Sequence, residues 1–204
     1  MSIDDLLASA PRAARPAPPA RALCTEILKW EGYRRDMHVD WRGDVRTGVG
    51  HLLPSANAAL ALPWRHKTTG LPATAREVRA AFEQVCAQGS GHQAPAHQRA
   101  SDLVLPPGFA GVLTIRRLER ELLPALRRLC PRFDDFPLSA QRALVDIAYN
   151  VGVAVLRRFY NLVAACNRWD FAAAADHCQR RTASGARNVA TRELFRKAAG
   201  PAIE

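Results

Sequence analysis

Apolar residues recur at helical spacing over most of this chain and alternate with polar ones in one short stretch near its beginning. Residues 22–30 carry Leu23, Ile27, Leu28 and Trp30 at spacings that share one face, which predicts a helix ending at Glu31. Residues 33–53 then alternate and hold Gly43, Gly48 and Gly50, the pattern of a small antiparallel sheet ended by Pro54. Residues 55–73 read as loop. Thr74-Ala75-Arg76-Glu77 has the form of a capping box and predicts a helix running to about Cys86. The stretch from Gln88 to Pro107 is rich in Gly, Ser, His and Pro and reads as a long exposed loop.

The remainder is helical in pattern. Leu118, Leu122, Leu126 and Leu129 recur every three to four residues, with Thr114 as a candidate cap. Ser139 is a candidate cap for the next helix, whose Ala143, Leu144, Ile147, Ala148 and Val151 face inward. That segment lacks charge over much of its length, as a buried central helix would. Further helices are expected at 153–167, at 170–181 with Asp170 as cap, and at 187–199, with Gly185 separating the last two. No internal repeat or coiled-coil heptad is present. Residues 1–20, with Pro11, Pro16, Pro18 and Pro19 among Ala and Arg, read as a flexible arm that cannot build a core. The expected organisation is this arm followed by a single α+β domain over 21–204.

Composition narrows the class. A chain of 204 residues suits one domain with a sizeable core. No apolar run approaches the roughly 18 residues a membrane helix requires, so membrane insertion is not expected. Met1-Ser2-Ile3-Asp4-Asp5-Leu6-Leu7 is acidic and has no secretory pattern, which points to synthesis in a reducing compartment without a signal peptide. The 29 Lys and Arg residues outweigh 19 Asp and Glu, a balance that attracts polyanions such as bacterial walls or nucleic acids. It is equally the balance of a chain that uses Arg as its solubilising cation. No aromatic-studded basic motif or helix-turn-helix spacing supports nucleic acid as the partner. Cys24, Cys86, Cys130, Cys166 and Cys178 form no Cys-x-x-Cys pair; four lie in apolar helical runs and read as buried free thiols. His92 and His97 lie in a polar loop without a carboxylate nearby, a poor ligand set, so neither a metal nor another cofactor is expected.

The candidate chemistry lies in Glu31-Gly32-Tyr33-Arg34-Arg35-Asp36-Met37-His38-Val39-Asp40-Trp41-Arg42-Gly43 and in Thr47-Gly48-Val49-Gly50-His51. One carboxylate ends a helix, and a second follows nine residues later in a stretch that reads as a tight hairpin. A glycine-rich turn with a hydroxyl and an imidazole comes next. Cleavage of a sugar–sugar bond uses two carboxyl groups in different environments. Glycine lets backbone approach a bulky polymer closely. Taken singly, Glu31 reads as a helix-end ion-pair residue and Asp40 as a turn residue bonded to its own backbone. Asp36 and Asp44 are neighbouring carboxylates that serve as controls.

The string resembles the catalytic segment of the phage-type lysozymes, glycoside hydrolase family 24. Glu31, Asp40, Gly43, Gly48, Gly50 and His51 fall in register with that family's pattern. Asp146-Ile147-Ala148-Tyr149-Asn150-Val151-Gly152 resembles its central helix. Arg187-Asn188 with Leu194-Phe195 resembles its C-terminal helix. The likeness covers 22–53 and about 112–199, whereas 54–111 has no counterpart. It implies a lysozyme-like α+β fold, mostly helical, with a small sheet lobe bearing the active site. It also implies a muramidase acting on peptidoglycan. Glu31 is then the general acid and Asp40 the second carboxylate. Arg187 faces the acid, His51 holds the hairpin, and Leu52, Tyr149 and Asn150 line the sugar cleft. The family's threonine position holds Arg46, and Thr47 comes one place later. Either a local shift lets Thr47 position the water or Arg46 replaces the hydroxyl.

The implied settings are a prophage endolysin, or an exported antibacterial toxin with an immunity protein, acting as a monomer in the periplasm or wall. The alternatives are a lytic transglycosylase, which uses one Glu and leaves an anhydro product, and a non-catalytic fold that binds glycan or nucleic acid.

Overall fold

The computed structural model describes residues 18–40, 42–88 and 101–200. The architecture is α+β, mostly helical with one small antiparallel sheet, consistent with a lysozyme-like fold. By their contacts the residues fall into two compact units. One is Glu31–Thr114; the other joins the described parts of Pro16–Trp30 and Ile115–Glu204. Most of the expected arm, and His92 and His97 in the expected long loop, lie outside the described residues.

Helix α1 (Pro18–Leu23) begins earlier than expected, inside the stretch read as an arm. Ala20 and Leu23 are buried. α2 (Thr25–Glu31) follows at once and ends on Glu31. Gly32 has φ +70°, a left-handed conformation that glycine adopts without steric cost, and it turns the chain from helix into sheet.

In the unit containing the sheet, β1 (Arg34–Val39), β2 (Val45–Gly48) and β3 (His51–Leu52) form an antiparallel meander. Met37, Val39, Val45 and Thr47 are buried while His38 and Arg46 between them are not, as a half-buried sheet requires. Residues 55–73, expected as loop, instead hold α3 (Ala56–Leu60), capped by Ser55, and β4 (Arg65–His66). α4 (Ala75–Cys86) carries the complete capping box expected at Thr74 and Glu77. It buries Val78, Phe82 and Val85, which recur at helical spacing on one face. β5 (Leu103–Val104) pairs with β1 on one side and β4 on the other, giving the order β3-β2-β1-β5-β4. These elements close over Met37, Leu53, Trp64 and Leu105, with the Trp64 indole donating to Ala59 O at 2.7 Å.

α5 (Phe109–Arg117) starts before Thr114, which is therefore no cap; its hydroxyl donates back to Ala110 O at 3.0 Å. A π-helical turn (Leu118–Leu122) leads into α6 (Leu123–Leu129), and Leu118, Leu122 and Leu126 are buried as expected.

In the helical unit α7 (Leu138–Val151) is the buried central helix. Its cap position is Pro137 and Ser139 lies one residue inside, so that expectation too is corrected. The expected helix at 153–167 is two, α8 (Val153–Leu156) and α9 (Tyr160–Asn167). Asp170 does cap α10 (Phe171–Asp176), accepting from Ala173 N at 2.9 Å, but that helix ends at 176. α11 (Gly185–Ala199) starts at Gly185 with Ser184 as cap. The five cysteines are free thiols, with Cys24, Cys130, Cys166 and Cys178 buried and Cys86 exposed.

Candidate functional site

The hairpin between β1 and β2 is organised by Asp40. Its backbone N–H donates to Asp44 O at 2.9 Å and its carbonyl accepts from Gly43 N at 3.0 Å, which closes the turn. Gly43 sits at φ +90°, where a side chain would be strained. Asp40 Oδ1 accepts the backbone N–H of Arg42 at 2.8 Å and of Asp44 at 3.0 Å. Asp40 Oδ2 accepts Arg46 Nε at 2.5 Å. The same guanidinium donates to Gly50 O at 3.0 Å and to Asp44 Oδ2 at 3.4 Å, so Arg46 ties both turns of the meander together.

Burial pushes the Asp40 carboxyl up. The Arg46 hydrogen bond, the N–H groups of Asp44 and Arg42 and the Arg46 charge outweigh it and hold the group below the usual carboxylate range. Asp40 is thus an anion at neutral pH. Three hydrogen bonds fill most of its roughly four lone-pair sites.

Thr47 stands elsewhere. It is fully buried, and its hydroxyl donates to Arg35 O at 3.4 Å. Its strand neighbour Arg46 is the residue that meets Asp40, so the place that the lysozyme resemblance gives to a hydroxyl is taken by a guanidinium. The tight Gly48-Val49-Gly50 turn is imposed by geometry. Gly48 and Gly50 have φ +65° and +66°, and a Cβ on Gly48 would come within 3.2 Å of Ala110 Cβ. His51 pairs with Thr47 and Leu52 with Arg46; Leu52 is exposed. Glu31, half-buried, ends α2 three residues before β1. Within this unit the chain therefore joins Glu31 to the Asp40 hairpin through a single strand.

The helical unit holds the other expected residues. Arg187, on the first turn of α11, is buried and donates Nε and Nη2 to Asp146 Oδ1 at 3.0 and 2.7 Å. Asp146 Oδ2 lies 2.8 Å from Arg180 Nη1 and accepts the Thr191 hydroxyl at 3.0 Å. Arg180 Nη2 donates to that hydroxyl at 2.6 Å, and the Asn188 amide clamps the Arg180 backbone. Burial pulls the Arg180 guanidinium below its ordinary value, and the charge of Asp146 opposes this. One buried carboxylate thus orients two arginines. Tyr149 is buried in α7 with the Arg117 guanidinium 4.1 Å above its ring, and Asn150 follows it, half-buried.

The sequence signalled part of this network. Asp146 interrupts the apolar run Leu144-Val145-Asp146-Ile147-Ala148, and a buried carboxylate demands partners. Arg187 was a candidate, but Arg180 and Thr191 carried no mark of their own. Among the described residues no three His, Cys, Asp or Glu side chains gather as a metal would need, and no helix is long and apolar enough to cross a membrane. No protein-family model matches the chain, and no curated protein matches it in sequence.

Proposed function

We propose that this protein is a muramidase, a glycoside hydrolase cutting the β-1,4 bond between N-acetylmuramic acid and N-acetylglucosamine in peptidoglycan. The observation that supports the reading most is the pair of carboxyl groups on one helix–strand–turn segment. Glu31 ends a helix, and Asp40 is braced as an anion by Arg46 and two backbone N–H groups. Glu31 protonates the leaving oxygen. Asp40 keeps its negative charge and stabilises the oxocarbenium-like transition state electrostatically. Arg187 is locked by Asp146 within the helical unit. On this reading the exposed Leu52 contacts the glycan and His51 steadies the turn. The setting is a prophage endolysin or an antibacterial effector blocked by an immunity protein.

A second reading is favoured by one specific feature. An aspartate whose lone pairs are mostly occupied is poorly placed to take a proton from water. A lytic transglycosylase needs one Glu only, and its product is the 1,6-anhydro sugar.

Mass spectrometry of purified peptidoglycan separates the two. Digestion by the wild type, Glu31→Gln and Asp40→Asn is compared. Reducing-end disaccharides that disappear in both variants mark a two-carboxylate muramidase. Anhydro products lost only with Glu31→Gln mark a transglycosylase. No product from the wild type would reject both.

A further inference from the structure

The segment 54–111, without counterpart in the lysozyme resemblance, builds a recess with β1. A cavity of about 530 Å³ opens where β1, β5 and the β4 turn meet, and it falls wholly within the unit Glu31–Thr114. That volume is in the range of small-ligand sites. Tyr33, Arg35, Asp36, Arg65, His66 and Lys67 line it.

The charges there do not cancel. Asp36 is held in a two-pronged ion pair by Arg34, with Nε at 3.0 Å and Nη2 at 2.8 Å, so it leaves the other cations uncompensated. His66 faces Glu77 at 3.4 Å. Arg35 gives Nε to Leu105 O at 2.7 Å, and Arg65 gives Nη1 to Gly70 O at 2.8 Å. Both bonds go to neutral carbonyls, which fix the guanidinium planes and leave their charges unpaired. Lys67 is anchored through its backbone N–H to Asp102 O at 2.8 Å. Among the described residues none of Arg35, Arg65 and Lys67 has a carboxylate partner. Three cations on a recess with a fixed backbone suit a planar or tetrahedral oxyanion, which two guanidinium forks and an ammonium engage together. Tyr33 adds a ring for the carbon skeleton that carries the anion.

We infer that this cavity is an oxyanion-binding site that grips the carboxylates or phosphates of the wall polymer. The wall as ligand rests on the muramidase reading; the oxyanion chemistry does not. The carboxylates belong to peptidoglycan stem peptides and the phosphates to phosphodiester polymers attached to the wall.

The test is calorimetric titration of the full-length wild type with three soluble probes. These are a stem peptide with free carboxylates, the same peptide with its carboxylates amidated, and a glycerol-phosphate oligomer. None contains the glycosidic bond, so turnover does not interfere. Binding by the free peptide or by the oligomer, and not by the amidated peptide, is expected, and the arm that binds names the source. Arg65→Gln/Lys67→Gln is expected to weaken that binding at least tenfold, and raising the salt weakens it further. Lys67→Glu is a second variant; the Lys67 side chain is exposed, so charge reversal there leaves folding intact. Thermal melting checks both. Failure of both anionic probes, equal binding of the amidated peptide, or undiminished binding by both variants overturns the site. Wall digestion is read separately. Binding without digestion keeps the site and removes the hydrolase, whereas digestion without binding does the reverse.

Discussion

Two aspartates organise this protein, and they do so under opposite conditions. Asp40 lies at a hairpin turn, with 15% of its side chain exposed, and most of its bonds come from its own neighbours. Asp146 is 1% exposed in the middle of α7, and its partners lie 34 to 45 residues away in sequence. Near the surface, solvent can replace a lost partner, so Asp40 acts chiefly through its charge and the shape of a turn. In the interior nothing replaces it, and the carboxylate becomes the condition for burying two guanidiniums. The thiols divide the same way. The four buried cysteines belong to the helical unit and the exposed Cys86 to the sheet unit. Burial pushes the Cys24 thiol up to about 12 and the Cys130 thiol up to about 11.

Removing the buried aspartate breaks this contrast most severely. Asp146→Ala leaves Arg180 and Arg187 without their carboxylate, and a stability loss of about 3–5 kcal/mol is expected. Urea unfolding measures it. Thiol labelling localises it. In the wild type an aromatic disulfide reagent is expected to label Cys86 rapidly and the other four slowly, because Cys86 is exposed and the others are buried. In Asp146→Ala, Cys178, two residues from Arg180, is expected to become reactive at an early stage of unfolding. A loss below about 1 kcal/mol would mean that the network is ornamental to the fold.

Asp40→Asn is milder. The amide oxygen can still accept from Arg42 and Asp44, but the NH2 that replaces Oδ2 cannot accept from Arg46, so the charge and one hydrogen bond are lost, about 1–2 kcal/mol. Its pH dependence has a definite sign. The folded carboxyl is held below its unfolded value of about 3.9, so its contribution is fully present above that pH and is lost as pH falls through the lower folded value. The stability difference between wild type and Asp40→Asn should be constant from pH 7 to 5 and shrink below about pH 4. A difference unchanged down to pH 2.5 would exclude the ion pair as its source. Arg46→Thr probes the same pair from the other side. It frees one Asp40 oxygen and restores the hydroxyl, and an increased share of reducing-end over anhydro products is expected by mass spectrometry.

What the sequence disclosed follows the range of the interactions. The capping box at Thr74, the Asp170 cap and the helix ending at Glu31 are local, and their signals lie within a few residues. Thr114 and Ser139 misled because a hydroxyl near a helix start can cap or lie inside the first turns, and spacing alone does not decide which. α1 was hidden by its prolines, which are compatible with a first helical turn although they suggest an arm. β4 and β5 have two residues each; β5 forms on the edge that β1 offers and β4 on the edge of β5, so no pattern of their own could announce them. Arg46 is the same case at the candidate site. Only the folded hairpin shows that it, and not Thr47, is turned to Asp40.

The smallest expected effect lies at the surface of the sheet unit, where solvent is the competitor throughout. Thr74 accepts Glu77 N at 3.3 Å, and Glu77 Oε2 in return accepts Thr74 N at 2.7 Å. Thr74→Ala removes one half of this exchange from an exposed helix start, and a loss of about 1 kcal/mol is expected, with Thr74→Ser nearly neutral. α4 buries Val78, Phe82 and Val85 against the sheet, so packing and not the cap holds the helix. Hydrogen exchange should therefore quicken in the first turn of α4 and stay unchanged at Phe82. Exchange that quickens along all of α4 would mean that the cap nucleates the element, and the surface of this unit would then depend on single hydrogen bonds as strongly as the helical interior depends on Asp146.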